Sequence, residues 1–478
     1  MRDYILLYVN GKERKLSGED VFSSLANYLR QKEGATGTKV VCDEGDCGAC
    51  TVLIGRPRNG QISYLPVNSC IQYLHQLDCA HVITVEGLTL NGKLNPAQTA
   101  MVECQGAQCG YCTPGFVVAM TALACSGREI TSESVKDALT GNLCRCTGYE
   151  SIIKAGMEMD CKAMPDLDKL YPPQQMLKAF SELENDPARL SFEDRLCWLP
   201  CDLKTAAAIK DGHKGAVIVS GGTDVCVQCN KRDWEPGVLI SLCKVAGLSL
   251  IEQKDGIISV GARATLSQLE EFIKGSIPEM TRIMWLFGSP QIRYAGTLAG
   301  NIANGSPIAD TLPFLFVMEA EVELAGSRGS RRVNINRLYK GYKMLDIAQD
   351  ELISRILIPA PDPSDLLKLY KVSKRQNLDI STFTAAIRLK LDGRKIASAK
   401  LAYGGVAPVV LRLPQTEAFL ADKQMELDTF ERAADVALAE IAPISDVRGS
   451  SEYRNLLAKN ILSRFYYEVT DERAIACP

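Results

Sequence analysis

Residues 42–50 read "CDEGDCGAC", a loop in which Cys42, Cys47 and Cys50 alternate with small and acidic residues. Cys70 follows after nineteen intervening residues. On the N-terminal side, "YILLYVNGKERKL" places an Asn-Gly pair between two alternating segments, a pattern typical of a β-hairpin. On the C-terminal side, "TVLIG" is typical of a strand. The stretch therefore predicts a cysteine loop carried by a small sheet.

The spacing of these four cysteines indicates an iron–sulfur site. A C-x4-C-x2-C loop with a fourth cysteine brought in by the fold is the plant-type ferredoxin spacing for a [2Fe-2S] cluster. Interleaved glycines let the backbone curl around inorganic sulfides and donate N–H groups to them. A four-cysteine zinc loop usually pairs CxxC units, and this loop does not. We therefore predict Cys42, Cys47, Cys50 and Cys70 as ligands of a [2Fe-2S] cluster.

A second set of cysteines occurs in "QCGYCTPG" (residues 108–115) and "GNLCRC" (residues 141–146). Pro114 suits the first turn of a helix, whose N–H groups would face a cluster's negative charge. A CxxC at the start of one helix and a CxC at the end of another would converge in a helical bundle. A redox-active CxxC and a four-thiolate zinc site are alternatives that the spacing leaves open. The predicted ligands are Cys109, Cys112, Cys144 and Cys146.

Composition limits the class of protein. A length of 478 residues predicts two to four domains, and a net charge of -3 with scattered Lys and Arg gives no nucleic-acid footprint. The N-terminus lacks the features of a signal peptide and no apolar run reaches about 18 residues, so we expect a cytoplasmic protein without a membrane partner. Only three histidines accompany 18 cysteines, which favours thiolate ligation over a multi-histidine zinc site.

Ten cysteines fall outside the two sets. Cys226 with Cys229 and Cys197 with Cys201 suggest a third metal site, although "DVCVQCN" equally fits a core segment that uses cysteine as a small apolar residue. The isolated cysteines are Cys79, Cys104, Cys125, Cys161, Cys243 and Cys477.

Changes in pattern along the chain predict an α+β multidomain protein. The predicted parts are a β-grasp, plant-type ferredoxin-like domain (1–82, with a helix near residues 21–31), a helical [2Fe-2S]-binding domain (83–162), a linker (163–190), an FAD-binding domain (191–361) and an α+β C-terminal flavoprotein domain (362–470). In the last part, long strands over "STFTAAIRLKLDGRKIASAKLAYGG" precede helices over residues 425–440 and 450–467.

Several motifs resemble those of the molybdenum hydroxylases, the family that includes xanthine dehydrogenase, aldehyde oxidase and carbon monoxide dehydrogenase. "EGDCGACTVL", "QCGYCTPGFV" and "LTGNLCRCTGY" resemble its iron–sulfur signatures. "VIVSGGTD" and "RYAGTLAGNIANGSPIADTLP" resemble the FAD-contacting loops of its vanillyl-alcohol-oxidase-type flavin domain, and "ISDVRGSSEYRNLLAKNIL" is similar to the tail of that module. The resemblance covers nearly all of residues 1–470 and implies two [2Fe-2S] clusters and FAD.

The resemblance also assigns flavin contacts. Glycines after a strand allow a backbone to approach a pyrophosphate, and the absence of GxGxxG argues against a Rossmann fingerprint. Tyr342 is a candidate on the nicotinamide side. Phe287, Ile353 and Tyr342 also suit core positions, and Lys371 also suits a solvated surface charge. The implied FAD residues are Val217, Ile218, Val219, Ser220, Gly221, Gly222, Thr223, Asp224, Phe287, Thr297, Leu298, Ala299, Gly300, Asn301, Asp310, Ile353 and Lys371.

The chain departs from the family in two respects. Val41 and Asp43 stand where relatives usually have small or glycine residues, so the curl of the loop is in question. A carboxylate beside the cluster should also lower its potential. The sequence stops after the flavin module, so we expect no molybdenum–pterin domain and no residues for substrate hydroxylation in this chain.

An iron–sulfur and flavin chain with molybdenum elsewhere is the arrangement of bacterial xanthine dehydrogenase small subunits. The resemblance implies a molybdenum–pterin large subunit as partner, in a heterodimer or higher oligomer, that hydroxylates a purine such as hypoxanthine or xanthine. Electrons would pass to the cluster of Cys109, then to the cluster of Cys42, then to FAD and NAD+. It further implies that Gln108 approaches the pterin.

Three other functions stay open at this point. The same electron-transfer role serves a hydroxylase of an aldehyde or an N-heterocycle, because the substrate pocket would lie on the partner. A stand-alone iron–sulfur flavoprotein carrier would have no molybdenum partner. A structural or regulatory zinc protein is the third, and visible absorption separates it from the others because zinc is colourless.

Overall fold

The computed structural model describes residues 1–89 and 92–470 and contains two compact units. The first unit comprises residues 1–246 and 288–296, and the second comprises residues 247–287 and the chain from residue 297 onward. Within the described residues, no helix combines the length and the apolar character needed to cross a bilayer. Cys477 lies outside the described residues.

The first unit begins with a mixed sheet. Its elements are β1 (Ile5–Val9), β2 (Lys12–Leu16), α1 (Leu25–Gln31), β3 (Thr51–Arg58), β4 (Gln61–Asn68) and β5 (Ala80–Ile83). The strand order is β2-β1-β5-β3-β4, with β1 and β5 parallel and the other pairs antiparallel. The cysteine loop of residues 42–50 therefore connects α1 to the sheet.

The predicted N-terminal hairpin is confirmed. Asn10 and Gly11 both have positive φ (47° and 78°), as a two-residue turn matched to strand twist requires. The predicted helix over residues 21–31 is shorter than expected and begins at Leu25, after Ser24, whose side chain accepts from the N–H of Asn27. Ser24 thereby satisfies a backbone donor that the first helical turn leaves without a partner.

Four helices follow the sheet. They are α2 (Pro96–Glu103), α3 (Thr113–Cys125), α4 (Ser132–Leu139) and α5 (Glu150–Glu158). The predicted helix starts are confirmed, because Pro96 and Pro114 lie in the first turns of α2 and α3 and Thr131 accepts from the N–H of Ser134 at the start of α4. α5 approaches α4 so closely that a Cβ on Gly156 would lie 2.6 Å from the side chain of Val135.

The segment that the sequence indicated as a linker contains α6 (Leu167–Leu170) and α7 (Pro173–Glu182). The view that it lacks an apolar pattern is wrong in α7, where Met176 and Phe180 are buried in a cluster with Leu6 and Tyr8. The rings of Tyr8 and Phe180 lie 5.7 Å apart, edge to face. One apolar pair four residues apart was too short a signal to outweigh "YPPQQ" and the mixed charges around it.

A second sheet completes the first unit. Its elements are β6 (Ala188–Phe192), β7 (Arg195–Leu199), α8 (Leu203–Gly212), β8 (Val217–Val219), α9 (Thr223–Arg232) and β9 (Val238–Ser241). The strand order is β6-β7-β9-β8, in which β7, β9 and β8 are parallel. Leu190, Cys197 and Leu239 of this sheet lie in one buried cluster with Leu7 and Leu25. The two sheets of the first unit therefore share a core, while the predicted domain boundaries stay predictions.

The second unit contains two antiparallel sheets and a two-stranded hairpin. The remaining elements, with α12 belonging to the first unit, are β10 (Ile251–Lys254), β11 (Ile257–Gly261), α10 (Leu266–Ile273), α11 (Pro278–Leu286), α12 (Pro290–Arg293), α13 (Leu298–Asn304), α14 (Leu312–Val317), β12 (Glu321–Gly326), β13 (Gly329–Asn334), α15 (Ile335–Leu338), β14 (Tyr339–Gly341), β15 (Met344–Leu345), β16 (Leu352–Pro359), β17 (Leu366–Val372), β18 (Phe383–Asp392), β19 (Lys395–Gly404), β20 (Leu411–Arg412), α16 (Pro414–Leu420), α17 (Leu427–Glu440) and α18 (Ser451–Thr470).

The sheets of the second unit have the orders β10-β11-β16-β12-β13 and β17-β18-β19-β20. The predicted long strands are confirmed as β18 and β19, and the two predicted C-terminal helices as α17 and α18. Phe430 of α17 and Phe465 of α18 are buried in one cluster with Phe383 and Tyr403 of these strands. The two helices therefore form the apolar cover of this sheet.

Candidate functional site

The four cysteines of the first set converge in the first unit. Cys42, Cys47 and Cys50 lie in the loop before β3, and Cys70 lies in a 3-10 turn after β4. The backbone N–H of Cys47 donates to Cys42 Sγ (3.4 Å). Hydrogen bonding with Cys47 and Cys70 lowers the pKa of Cys42, and hydrogen bonding with Cys42 and Cys50 raises the pKa of Cys70. These four thiols form one group, which we name site I.

The backbone of the site I loop has the expected curved path, although Val41 and Asp43 are larger than the residues usual at their positions. Asp43 adopts a positive φ of 56°, and Gly45 and Gly48 adopt 81° and 68°. Aspartate tolerates the left-handed region better than most residues with a side chain. Val41 is 61% exposed, so its larger side chain meets no steric limit there. The loop therefore accommodates both Val41 and Asp43.

The second set also converges, as the sequence predicted. Cys112 is the residue immediately before α3, and Cys144 and Cys146 lie in the loop between α4 and α5. The sulfur atoms of Cys109 and Cys146 are 3.6 Å apart. Burial and a hydrogen bond with Cys144 raise the pKa of Cys112 to about 12. We name these four cysteines site II.

The pairing of the sulfurs bears on the kind of metal centre that the cysteines can hold. A four-thiolate zinc ion needs all four sulfurs around one centre, whereas a [2Fe-2S] cluster divides its four thiolates between two irons. The pairs at site II, Cys109 with Cys146 and Cys112 with Cys144, fit the second requirement. The donor set of site II therefore fits a [2Fe-2S] cluster, and the four interlinked thiols of site I supply the same number of ligands.

Site I and site II touch through their own backbone. The N–H of Leu143, which precedes Cys144, donates to the carbonyl oxygen of Cys47 (2.9 Å). The side-chain amide of Asn142 donates to the carbonyl oxygen of Gly48 (3.0 Å). A Cβ on Gly48 would lie 2.2 Å from a backbone oxygen, so this approach requires glycine. One hydrogen bond thus joins a ligand of site I to the neighbour of a ligand of site II.

The predicted flavin loop, residues 217–224, lies in the first unit. It connects β8 to α9, and Gly222 at the start of the helix has a φ of 75°. A Cβ on Gly221 would lie 2.2 Å from the carbonyl oxygen of Ala295, and a Cβ on Gly222 would lie 2.3 Å from Gln76 Nε2. The observed reason for these glycines is therefore close packing of protein on the loop. Approach of a pyrophosphate to their backbone stays a prediction.

Short side-chain contacts link the flavin loop to the segment after Cys70. Gln76 Nε2 donates to the carbonyl oxygen of Gly221 (3.1 Å), and Gln76 Oε1 accepts from the backbone N–H of Tyr73 (2.9 Å). Cys226 Sγ of α9 lies 3.5 Å from the same Gln76 oxygen. The 3-10 turn Leu74–Gln76, which follows Cys70 in the chain, therefore contacts the flavin loop through Gln76.

The second unit contains the remaining predicted flavin residues. Thr297 accepts from the N–H of Gly300 (3.0 Å) at the start of α13, and Asn301 Oδ1 accepts from the hydroxyl of Thr311 (2.5 Å). These bonds give the segment from Thr297 to Asn301 a fixed, capped helical start. Leu298 and Ala299 are buried within it.

Lys371 and Asp310 form a buried ion pair. Lys371 Nζ lies 2.6 Å from Asp310 Oδ2, and their side chains are only 3% and 9% exposed. The hydroxyl of Ser381 donates to the other carboxylate oxygen (2.5 Å). The alternative of Lys371 as a solvated surface charge is therefore wrong.

The outlying predicted residues differ in their surroundings. Ile353 is a buried residue of β16, and Phe287 ends α11. Tyr342, between β14 and β15, is 59% exposed and so is not a core residue. The surface position leaves its side chain accessible.

The four cysteines considered for a third metal site differ in burial, and Cys201 and Cys229 are half-buried. Cys197 and Cys226 are buried, and burial raises the pKa of both thiols. Both residues act as small core side chains, which was the alternative interpretation.

Sequence reasoning missed the polar residues around the two sites. Tyr73 and Gln76 lie within six residues of Cys70, and Asn142 lies two residues before Cys144, so proximity to a ligand was an available signal. Asn230 contacts Cys70 across 160 residues of sequence, and no local pattern marks it.

Comparisons with known proteins match four domain families in order along the chain. The 2Fe-2S iron-sulfur cluster binding domain matches residues 7–73, and the [2Fe-2S] binding domain matches residues 84–157. The FAD binding domain in molybdopterin dehydrogenase matches residues 190–361, and the CO dehydrogenase flavoprotein C-terminal domain matches residues 368–469. Both cysteine sets fall within the iron–sulfur domains, and the predicted FAD residues fall within the FAD binding domain except Lys371, which falls within the flavoprotein C-terminal domain.

The chain is also similar to known relatives and solved structures, over different shares of its length. Xanthine dehydrogenase of Oryza sativa subsp. japonica is 28% identical over 98% of this chain, which spans only 40% of that relative. Carbon monoxide dehydrogenase from Hydrogenophaga pseudoflava is 25% identical with a TM-score of 0.54, covering 56% of this chain and 94% of the matched one. Quinoline 2-oxidoreductase from Pseudomonas putida 86 is 26% identical with a TM-score of 0.53, covering 57% and 95%.

Two thiol quartets joined to flavin-type domains define the chain as an oxidoreductase of the iron–sulfur flavoprotein class. Within that class, the chain belongs to the iron–sulfur and FAD-binding part of the molybdenum hydroxylase family. Its domains are those that bind [2Fe-2S] clusters and FAD.

Proposed function

We propose that the chain is the electron-transfer part of a xanthine dehydrogenase, with a molybdenum–pterin partner that hydroxylates hypoxanthine or xanthine and with NAD+ as the final acceptor. The near-complete match of this chain to part of a xanthine dehydrogenase supports the proposal. When bound, clusters exchange single electrons, and flavin exchanges two as a hydride. In this proposal, the residues of this chain bind the two clusters and the flavin and fix the distances between them.

The observation that carries the proposal is the ordered exposure of the sites in the first unit. Site II has two exposed cysteines, Cys109 and Cys146, besides the buried Cys144, whereas no cysteine of site I is exposed and two, Cys50 and Cys70, are buried. The bond from the Leu143 N–H to the Cys47 carbonyl joins the two sites. The order from site II, with its two exposed cysteines, to site I and then to the flavin loop supports entry of electrons from a partner at site II.

The experiment is to purify the native complex, count iron, molybdenum and flavin, and assay hypoxanthine and xanthine with NAD+. We expect a molybdenum-bearing partner and purine-dependent formation of NADH. An intact complex that reduces neither NAD+ nor a dye with purines would refute the substrate. A chain that never associates with a pterin-bearing protein would refute the partner.

A hydroxylase of an N-heterocycle is the second candidate. The match to quinoline 2-oxidoreductase favours it, because that protein is named for an N-heterocycle. A panel of quinolines, aldehydes and purines, assayed on one complex, separates the candidates by which substrate reduces the iron–sulfur chromophore.

A further inference from the structure

Asn230, in the last turn of α9, reaches site I. Its Nδ2 lies 2.9 Å from the carbonyl oxygen of Cys70, 3.0 Å from that of Asp43 and 3.3 Å from Asp43 Oδ1. An amide has two N–H groups, so one serves Cys70 and the other is shared by the two oxygens of Asp43. A single side chain therefore ties the segment next to Cys42 to the segment that carries Cys70.

The orientation of this amide is fixed from its other end. The hydroxyl of Tyr73 donates to Asn230 Oδ1 (2.9 Å). With a donor at Oδ1 and carbonyl acceptors at Nδ2, only one orientation of the amide satisfies all partners. The bond to the Asp43 carbonyl also helps to hold this residue in its left-handed conformation (φ 56°), which aspartate adopts less readily than glycine does.

The same helix carries the flavin loop at its opposite end. α9 begins after Gly222, and eight residues separate Gly222 from Asn230, a rise of about 12 Å in an α-helix. Gln76, from the segment after Cys70, contacts the helix start through Gly221. One rigid element is thus bonded both to site I and to the flavin loop.

We propose that Asn230 is a positioning residue that clamps site I to α9, fixing the conformation of its loop and its electrostatic surroundings at a constant spacing from the flavin loop. The inference rests on the proposed function, because it takes site I to hold a [2Fe-2S] cluster. The amide presents the positive end of its dipole to the two ligand-bearing segments. Reduction adds negative charge to a cluster, so an N–H donor here favours the reduced form.

The test is an EPR-monitored redox titration of the purified chain carrying Asn230→Asp, with iron counted in each sample. This isosteric change removes the donor and adds a carboxylate beside Asp43. We expect the ratio of reduced to oxidised site I at a fixed potential to fall about tenfold, which is 59 mV for one electron. The site II signal should titrate as in the unaltered chain.

The matched control is Asn27→Asp, which makes the same chemical change at an exposed position of α1. It should leave both signals unchanged. Tyr73→Phe keeps the Asn230 donors but removes the hydroxyl that orients them, and we expect a smaller shift of site I in the same direction. If Asn230→Asp does not fold, the redox titration of site I in Tyr73→Phe alone tests the proposal.

Selective loss of the site I signal in Asn230→Asp, with site II retained, would also support the clamp. Full iron content with unshifted titrations in both Asn230→Asp and Tyr73→Phe, or equal shifts at both sites, would overturn it. An unaltered chain without any iron–sulfur signal would instead refute the proposed function, so the two failures are distinguishable.

Discussion

At the scale of single residues, buried and half-buried polar side chains set the surroundings of the sites. Asn230 and Asn142 each donate to backbone carbonyls of the site I loop, and Lys371 pairs with Asp310 in the second unit. The grouping of the cysteines into two sets was predictable from the spacing of their motifs in the sequence. Asn230 was not predictable, because its partner Cys70 is 160 residues away and an asparagine on a helix has no distinctive pattern.

Replacing Lys371 with methionine should destabilise the second unit. The change leaves the Asp310 carboxylate buried with only Ser381 to bond it, and breaking one partner of a buried pair costs about 3–5 kcal/mol. Thermal unfolding monitored together with flavin release should show a lower midpoint. Lys395→Met, in an exposed pair with Asp422, is the control and should unfold as the unaltered chain does. Equal midpoints for the two variants would contradict the buried-pair account.

The stability of the first unit should fall with acid partly through His81. The N–H of Gly11 donates to His81 Nε2 (3.0 Å), so the neutral ring carries its proton on Nδ1, beside the Tyr64 hydroxyl. Burial lowers the pKa of His81 to about 4, below the unfolded value of about 6.5. The unfolded chain therefore binds the extra proton first, and stability is lost as pH falls from about 6.5 towards 4.

The expected loss from His81 is about 1 kcal/mol per pH unit within that window. Denaturant unfolding of the chain at pH 7.5 and 5.5 measures it, and His81→Gln should show a shallower dependence on pH. His75, whose pKa burial lowers to about 3, would still contribute in the variant. Identical pH dependence in His81→Gln and the unaltered chain would show that His81 makes no such contribution.

At the scale of elements, the approach of α3 to the site I loop holds the two cysteine sites together. A Cβ on Gly115, in the first turn of α3, would lie 2.2 Å from the carbonyl oxygen of Gly48. The helix start itself was predictable from Pro114, because proline in a first turn is a local preference. Contact between α3 and the loop was not predictable, because it depends on how two domains pack.

Gly115→Ala should separate site I from site II. The added methyl group must displace the Gly48 backbone, so we expect weaker magnetic interaction between the two reduced clusters and a lower unfolding temperature. Low-temperature EPR of the fully reduced chain measures the interaction. Gly212→Ala is the matched control, because a Cβ at that helical position meets nothing within 4 Å. An unchanged splitting in Gly115→Ala would argue against close contact of the sites.

At the scale of the whole molecule, the order of domains was readable from the sequence because each carries its own motif. The shared core of the two sheets in the first unit was not readable, because Leu190 and Leu239 pack on Leu7 and Leu25 from distant parts of the chain. The same holds for α7, whose apolar face is meaningful only beside the N-terminal sheet. The packing between separate motifs is therefore known only from the structure, and the sequence alone did not predict it.

The substitution Gln108→Ala should impair only the transfer of electrons from the molybdenum–pterin partner to this chain. Gln108 is exposed beside Cys109 of site II, and the proposed function places it at the interface with the molybdenum–pterin subunit. We expect purine-driven reduction to slow at least several-fold, while NADH-driven dye reduction through the flavin is unchanged. Equal slowing of both reactions would place the defect within this chain instead.

Low-temperature EPR of the dithionite-reduced chain, with iron and zinc counted in the same sample, tests the central claim most directly. If sites I and II each hold a [2Fe-2S] cluster, we expect about four irons per chain and two distinct EPR signals of one spin each. Cys144→Ser should remove one signal and keep the other. Stoichiometric zinc with no such signals, or a single signal that survives Cys144→Ser unchanged, would show that the two sites do not hold two [2Fe-2S] clusters.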